Sequence, residues 1–321
     1  MKQSVLVVGG AGYVGGYLVD LLIKNWYTVA VYDNLTYETR YLKNVSFIKG
    51  DINDYEKLKP IINNFDIVVW LAAVVGDGAC DVNPELTKKI NTETVKWLVQ
   101  NYIGKIIFMS TSSVYGISDD ELTEESPLNP ITLYTKTKLE AERYIIDNHE
   151  DYLIFRLGTL FGISDRHSRL RLDLVANIFA QRAAENKPIT VNGGNQWRPI
   201  LHVRDVGNAI LHGIENEING LYNLSYKNFT ISDIASTVQD IAPKGWDEVK
   251  ITHVDIPPGD VRNYKMSSAR YMATGWEPSE IFVDGIREMY WIIKEGRVSN
   301  TSDSVYNNQN YFKSIWKPQE Q

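Results

Sequence analysis

The chain has 321 residues, 44% hydrophobic and 23% charged, with a formal net charge of −7, so it can bury a large core as one big domain or two interleaved lobes. The negative balance and the lack of a dense Lys/Arg run argue against a nucleic-acid surface, and no stretch approaches the roughly 18 uninterrupted apolar residues that span a membrane. The N-terminus runs straight into a strand pattern with no room for a signal peptide, and the single cysteine, Cys80, excludes an internal disulfide and a cysteine-built zinc site, so a cytoplasmic protein with no metal site is expected.

Ser4–Val8 is a short apolar run, followed by Gly9-Gly10-Ala11-Gly12-Tyr13-Val14-Gly15 and then by apolar positions at helical spacing through Ile23. This reads as strand, tight glycine turn and helix. Gly9 suits the sharp turn, Gly12 a close backbone approach to a pyrophosphate, and Gly15 helix packing against the strand. Tyr13 and Val14 then lie at a helix N-terminus that favours an anion. A second strand, Tyr27–Tyr32, ends at Asp33 and Asn34, about twenty residues beyond the turn, where a carboxylate accepts from both ribose hydroxyls and repels a 2′-phosphate. That favours NAD over NADP. Val45–Ile48 reads as a third strand, leading to Asp51 and Ile52 beside the adenine. Ile67–Leu71 reads as a fourth, followed by the small Ala72 and Ala73, with Leu71 at the cofactor. Strands alternating with helices predict a doubly wound parallel sheet with ligands at the carboxyl ends of its strands.

The loop from Val74 to Pro84 falls by position beside the nicotinamide and substrate, which makes Asp77 a substrate-contact candidate. Cys80 within it reads as a small buried hydrophobe rather than a nucleophile. Leu86–Gln100 has a helical pattern with Asn91, a further cofactor candidate, inside it. Lys105–Met109 is the next strand, and it leads into Ser110-Thr111-Ser112-Ser113-Val114-Tyr115-Gly116. A helix opens at Leu133 and carries Tyr134 and Lys138 on one face. Removing a proton from a sugar hydroxyl while hydride leaves the same carbon needs an anionic base, and free tyrosine titrates near about 10. A lysine ammonium one turn away, with the positive nicotinamide, should lower that value. Tyr134 is therefore the candidate base, Lys138 its tuner and a ribose ligand, and Thr111 a hydrogen-bonding group at the reacting oxygen.

Gly9-x-x-Gly12-x-x-Gly15, Asp33, Asp51-Ile52, Leu71-Ala72-Ala73, Ser110 to Gly116 and Tyr134-x-x-x-Lys138 together resemble the extended short-chain dehydrogenase/reductases, the nucleotide-sugar epimerase/dehydratase family. The likeness runs to about residue 295. It implies a Rossmann-type NAD-binding domain over 1–165 with a return segment at 202–224. A smaller, discontinuous α/β substrate lobe is expected over 166–201 and 225–296, and 297–321 is a tail with aromatic positions, an arm against the body or a partner subunit. It also implies a homodimer through the helices of residues 86–100 and 134–147.

Arg156-Leu-Gly-Thr159 resembles the family's entry to the sugar site, with Thr159 where asparagine is usual. Arg198 and Arg262 stand where the family's arginines grip the substrate diphosphate, a task suited to guanidinium forks. Ser112 and Ser113 are the other substrate candidates. They occupy the positions where a 4,6-dehydratase of this family carries an Asp-Glu pair, and hydroxyls do not replace carboxyls in acid/base work, so dehydration is disfavoured. A 4-epimerase and a C4 dehydrogenase or 4-keto reductase would use the same Tyr134, Lys138 and Thr111. A catalytically silent NAD-binding sensor would usually have lost the tyrosine or lysine. The expected substrate is a nucleotide-diphosphate hexose or heptose, its nucleotide and sugar left open by the residues. Arg166-His-Ser-Arg-Leu-Arg171 reads equally as a substrate-phosphate contact, a loop clasp or a solvated loop, and His202 as a structural hydrogen-bonder.

Overall fold

Val5 and Val7 of the first strand pack into one hydrophobic cluster and Leu6 and Val8 into another, so both faces of that strand are covered, as in a parallel sheet with helices on both sides. The computed structural model describes residues 2–242, 249–255 and 263–316. In chain order the first elements are β1 (Ser4–Val8), α1 (Gly15–Lys24), β2 (Thr28–Asp33), β3 (Ser46–Lys49), α2 (Tyr55–Ile62) and β4 (Ile67–Trp70). Then come α3 (Asp77–Cys80), α4 (Pro84–Lys88), a π-turn over Lys89–Glu93, α5 (Thr94–Asn101) and β5 (Lys105–Thr111). A 3₁₀ turn over Ser112–Tyr115 leads to β6 (Ile117–Leu122), α6 (Leu133–Asn148), β7 (Tyr152–Leu157) and β8 (Thr159–Phe161). After these come α7 (Val175–Ala184), β9 (Ile189–Asn192), β10 (Trp197–His202), α8 (Val203–Glu215) and β11 (Gly220–Leu224). The rest is β12 (Lys227–Thr230), α9 (Ile231–Ile241), β13 (Ile251–Val254), β14 (Asn263–Met266), α10 (Ala269–Met272), α11 (Phe282–Lys294) and α12 (Asn308–Ile315).

Seven parallel strands form the large sheet in the order β11-β7-β5-β4-β1-β2-β3. Helices α1 and α8 cover one face through Leu18, Leu22, Val206 and Ile210. Helices α2, α5 and α6 cover the other through Leu58, Leu98, Ala141 and Ile145. The chain winds outward from β1 to β3 and then returns to β4 on the other side of β1, so the strand order reverses between β1 and β4. That crevice is where doubly wound sheets bind ligands.

A smaller lobe is built on the sheet β12-β10-β8, packed by α7, α9 and α11 around Phe161, Phe179, Ile200, Ile234 and Met289. It does not follow contiguous sequence. Strand β6 of the first half pairs with β14 of the second, while Tyr271 and Trp276, in the stretch assigned from sequence to the smaller lobe, belong to the core of the large sheet.

Three local features differ from the sequence pattern. The helix expected over Leu86–Gln100 starts at Pro84, capped by the Asn83 side chain on the Leu86 N–H, and is interrupted by the π-turn around Asn91. Strand β5 runs two residues past Met109, to Thr111, because β7 continues beside it as far as the Thr111–Leu157 pair. The tail forms a helix, α12, seated against α3.

Gly9 has φ +82°, and a Cβ there would lie 2.5 Å from the Ala72 backbone nitrogen. Gly76 has φ +97° with nothing within 4 Å of such a Cβ. Gly76→Ala should therefore lose only the conformational term of about 1–3 kcal/mol, whereas Gly9→Ala must also push away the Leu71–Ala72 backbone and should lose clearly more. Urea unfolding of the two variants measures the difference, and equal losses would contradict the close approach.

Candidate active site

The glycine turn leaves β1 at the strand-order reversal. The Gly9 N–H donates to the Tyr32 carbonyl at 2.8 Å, and Gly15 packs so closely on Gly10 that a Cβ would lie 2.4 Å from the Gly10 carbonyl oxygen. Val14 caps α1 without a side-chain hydrogen bond, so no side chain of its own cap covers the positive end of that helix. Asp33, at the end of β2, accepts from the Ala11 N–H at 3.0 Å and the Leu35 N–H at 2.7 Å. Burial raises its carboxyl above the usual range while these two donors pull it back. Each oxygen retains a further acceptor position.

Two cavities open from this turn. The first is lined by Gly9, Gly12, Asp33, Asn34, Tyr37, Asp51, Ile52, Leu71, Ala72 and Ala73, and closed by Phe312, Ile315 and Trp316 of the tail. The second is lined by Gly9, Gly12, Tyr13, Val14, Asp77, Thr111, Ser112, Ser113, Tyr134, Lys138 and Thr159. Tyr264, Arg169 and Arg171 join that second wall. Most of the residues expected from sequence thus meet in one continuous groove.

Of the expected residues that are described, Gly15, Asn91 and Arg198 line neither cavity. The π-turn aims the Asn91 amide at Val74, whose N–H and C=O it holds at 2.9 Å each, so it fixes the loop after β4 rather than a ligand. The Tyr13 hydroxyl donates to the Gly162 carbonyl at 2.6 Å, joining the lobes, so only the body of its ring faces the groove. Arg198 lies buried on β10, donating to the Trp197 carbonyl at 2.9 Å, and is not part of the cavity wall. Arg262 lies outside the described residues.

Tyr134 and Lys138 stand one turn apart at the start of α6, where Thr132 and Thr135 form a reciprocal capping box. Thr111 lines the same wall as Tyr134 and favours its ionised form. The Lys138 ammonium sits 3.9 Å over the Phe108 ring. The expected lowering of Tyr134 combines Lys138 with the positive nicotinamide; among the chain's own groups, burial, with Cys80 and Asp77 nearby, pushes the Tyr134 phenol up, and burial pushes Lys138 down to about 7. Desolvation outweighs mutual help because burial withholds water from the charged form of each group. Asp77 accepts from the Thr132 hydroxyl at 2.7 Å. Ser112 and Ser113 are each 3.1 Å from the Tyr264 hydroxyl, a contact that joins β5 to β14 and has no local signal in the sequence. Burial pushes the Cys80 thiol up to about 12, which leaves it inert as a nucleophile.

Under this floor lies a buried ion pair. Arg156 on β7 donates from Nη2 to Glu142 at 2.6 Å, Ser110 donates to the same carboxylate at 2.6 Å, and Arg156 Nη1 donates to the Tyr115 hydroxyl at 2.8 Å.

Residues 5–225 match the model of the NAD dependent epimerase/dehydratase family. The chain belongs to that family. It is 29% identical over 304 residues to the low-salt glycan biosynthesis protein Agl12 of Haloferax volcanii, covering 88% of this chain and 96% of that protein. It is 28% identical over 310 residues to a putative UDP-glucose 4-epimerase of Methanocaldococcus jannaschii, covering 91% and 99%. The solved UDP-glucose 4-epimerase of Thermus thermophilus, in complex with NAD, superposes with a TM-score of 0.79 at 26% identity, covering 92% of this chain and 100% of that one. This family member is accordingly an NAD-dependent nucleotide-sugar enzyme of the extended short-chain dehydrogenase/reductase kind, with NAD as its cofactor.

His202 is a structural residue in this enzyme. It is fully buried, its Nδ1 accepts from the Arg204 N–H at 3.2 Å to cap α8, and burial, aided by Arg204, holds its imidazole down at about 3. It is neutral, so its 3.9 Å approach to Glu280 is not an ion pair.

Arg156→Met would leave Glu142 buried without its partner and should lower stability by about 3–5 kcal/mol in urea unfolding. Adding Glu142→Leu should recover part of the loss, and no recovery would deny the pairing. For His202 the sign is fixed by its depressed value. Between about 6.5, where an unfolded imidazole titrates, and about 3 the unfolded chain holds a proton that the folded chain refuses. Stability should fall as pH drops through that window, at up to about 1.4 kcal/mol per unit. His202→Asn keeps an acceptor for the cap and should show a shallower acid limb. Identical limbs in the two proteins would refute the assignment.

Proposed function

We propose that the enzyme oxidises and re-reduces C4 of a nucleotide-activated hexose or heptose, as a 4-epimerase with Tyr134 as its base. The observation that carries this reading is the meeting of Tyr134, Thr111 and Lys138 on the wall of a groove that begins at the glycine turn. Bound NAD⁺ supplies the hydride acceptor, and its positive ring favours the phenolate that burial alone disfavours. Tyr134 takes the proton from the sugar hydroxyl, and Thr111, on the same wall, hydrogen-bonds the same oxygen. Lys138, pressed on Phe108 and pushed down to about 7, sits one turn away, where it places a cation beside the ribose of the cofactor. Gly9, Gly12, Val14, Gly15, Asp33 and Asn34 take the glycine-turn and ribose ends, and Asp51 and Ile52 the adenine. Thr159 and Asp77 face the sugar in this reading, and Arg262 serves the substrate diphosphate. Elimination of water is not supported: at the positions for an acid/base pair stand Ser112 and Ser113, both turned to the Tyr264 hydroxyl.

The protein as purified is denatured to identify its cofactor, and intact enzyme is then given UDP-, GDP- and dTDP-sugars while reduced nicotinamide is followed by absorbance. An isomerised sugar without net NADH is expected. Lasting reduction would make the enzyme a net C4 dehydrogenase instead. Tyr134→Phe should keep its NAD and lose about 10²–10⁴-fold in turnover. Turnover surviving intact in that variant would remove Tyr134 as the base.

A further inference from the structure

The basic stretch divides by environment. Arg166 and His167 are exposed, and Arg171 is committed to Asp173 at 2.9 Å. Arg169 is 5% exposed, and its guanidinium carbon sits over the Tyr37 ring, 3.6 Å from the centroid. Nε donates to the Val305 carbonyl at 2.7 Å and Nη1 to Asn308 Oδ1 at 2.7 Å. Both acceptors belong to the tail. Nη2 is buried and, among the described residues, has no hydrogen-bond partner, and none of their carboxylates forms an ion pair with this arginine. Burial holds Arg169 down at about 10. A buried cationic donor without an acceptor is costly unless something anionic meets it.

The place of this nitrogen says what that anion is. Gly9, Gly12, Tyr37, Leu71 and Ala73 are common to both cavities. A dinucleotide threaded through both, adenosine at Asp33 and nicotinamide at Tyr134, must pass its diphosphate over these shared residues. Arg169 sits over one of them and lines the second cavity. The glycine turn itself offers only N–H groups and the partial charge of α1. Nearby Lys43 is held by Asp20 at 2.7 Å and Asp165 at 2.5 Å.

We propose that Arg169 Nη2 donates to the diphosphate of the bound dinucleotide, and that the tail aims it there by holding the other two nitrogens. The cofactor site is thus completed by residues 305–316, with Arg169 as the clamp and Phe312, Ile315 and Trp316 as the wall over the adenosine end. This rests on the cofactor placement proposed above.

The test uses holoenzyme, radiolabelled NAD in excess to measure exchange of the bound cofactor, and UDP titration to probe the substrate side. Arg169→Gln should exchange NAD about tenfold faster or more with UDP affinity unchanged. Asn308→Ala, which keeps the charge but frees the fork, should speed exchange by a smaller factor. Arg169→Lys, which keeps charge and bulk, serves if the glutamine variant does not fold, and faster exchange is expected there too. Weaker UDP binding with unchanged NAD exchange would assign Arg169 to the substrate diphosphate and overturn the proposal, as would wild-type exchange rates in all three variants. A wild-type protein that neither retains nor takes up NAD would instead break the underlying cofactor placement and this proposal with it.

Discussion

Glu142 and Arg156 are buried together beneath the active-site floor at 1% and 3% exposure, and much of the site's geometry depends on that pair. Glu142 stands one helical turn beyond Lys138 and two beyond Tyr134, so fixing it to β7 fixes the whole reactive face of α6 relative to the sheet. The same carboxylate takes the Ser110 hydroxyl, one residue before Thr111. One buried charge pair therefore sets the distance between the helix that carries Tyr134 and the strand end that carries Thr111. The network continues through the Tyr115 hydroxyl to Asn223 on β11 at 2.7 Å, which ties in the far edge of the large sheet. Desolvating two ions gives little net stability. What it gives here is position, because an alternative packing of α6 would strand an unpaired charge.

A second constraint acts at the other end of the groove. β1 and β4 stay paired where the strand order reverses, and Gly9 lets the backbone turn against Ala72 with no side chain between them. Asn91 then pins the next residues by taking both the N–H and the C=O of Val74. An uninterrupted α-helix would not aim that side chain at the loop, and the π-turn supplies the one-residue offset that does.

The large sheet, the glycine turn, Asp33 and the Tyr134/Lys138 face were legible in the sequence because each is a local pattern: an apolar run, a spacing of three, a spacing of four. The groups that hold them in place were not. Glu142 and Arg156 are fourteen residues apart with no periodic relation, Tyr264 reaches Ser112 across 152 positions, and Arg169 meets Asn308 across 139. Such pairings exist only once the lobes are assembled. The π-turn was hidden for a different reason, since an offset of one residue leaves the apolar pattern on both sides intact. Burial also opposes one electrostatic expectation. A spacing of four suggests that lysine lowers tyrosine, yet in the folded chain burial pushes the Tyr134 phenol up and the Lys138 ammonium down.

The tail connects these constraints to the reaction. Beyond Arg169, it is fastened by the Asn308 side chain to the Val75 carbonyl at 2.8 Å, by the Asn308 N–H to Asp173 at 2.9 Å, and by the Tyr311 hydroxyl to the Thr36 carbonyl. An enzyme that releases its nicotinamide cofactor each turnover would have to break this set of contacts, and the stacking of Phe312 on Trp316, once per cycle. A 4-epimerase returns the hydride to the sugar from which it came, so its cofactor leaves the cycle as it entered and has no need to depart. Under the proposed cofactor placement, closing the first cavity with α12 costs nothing in turnover, while the second cavity, proposed for the sugar, is walled mainly by the two lobes. The placement of the tail over the nucleotide half of the groove is therefore the arrangement that a hydride-returning reaction tolerates best.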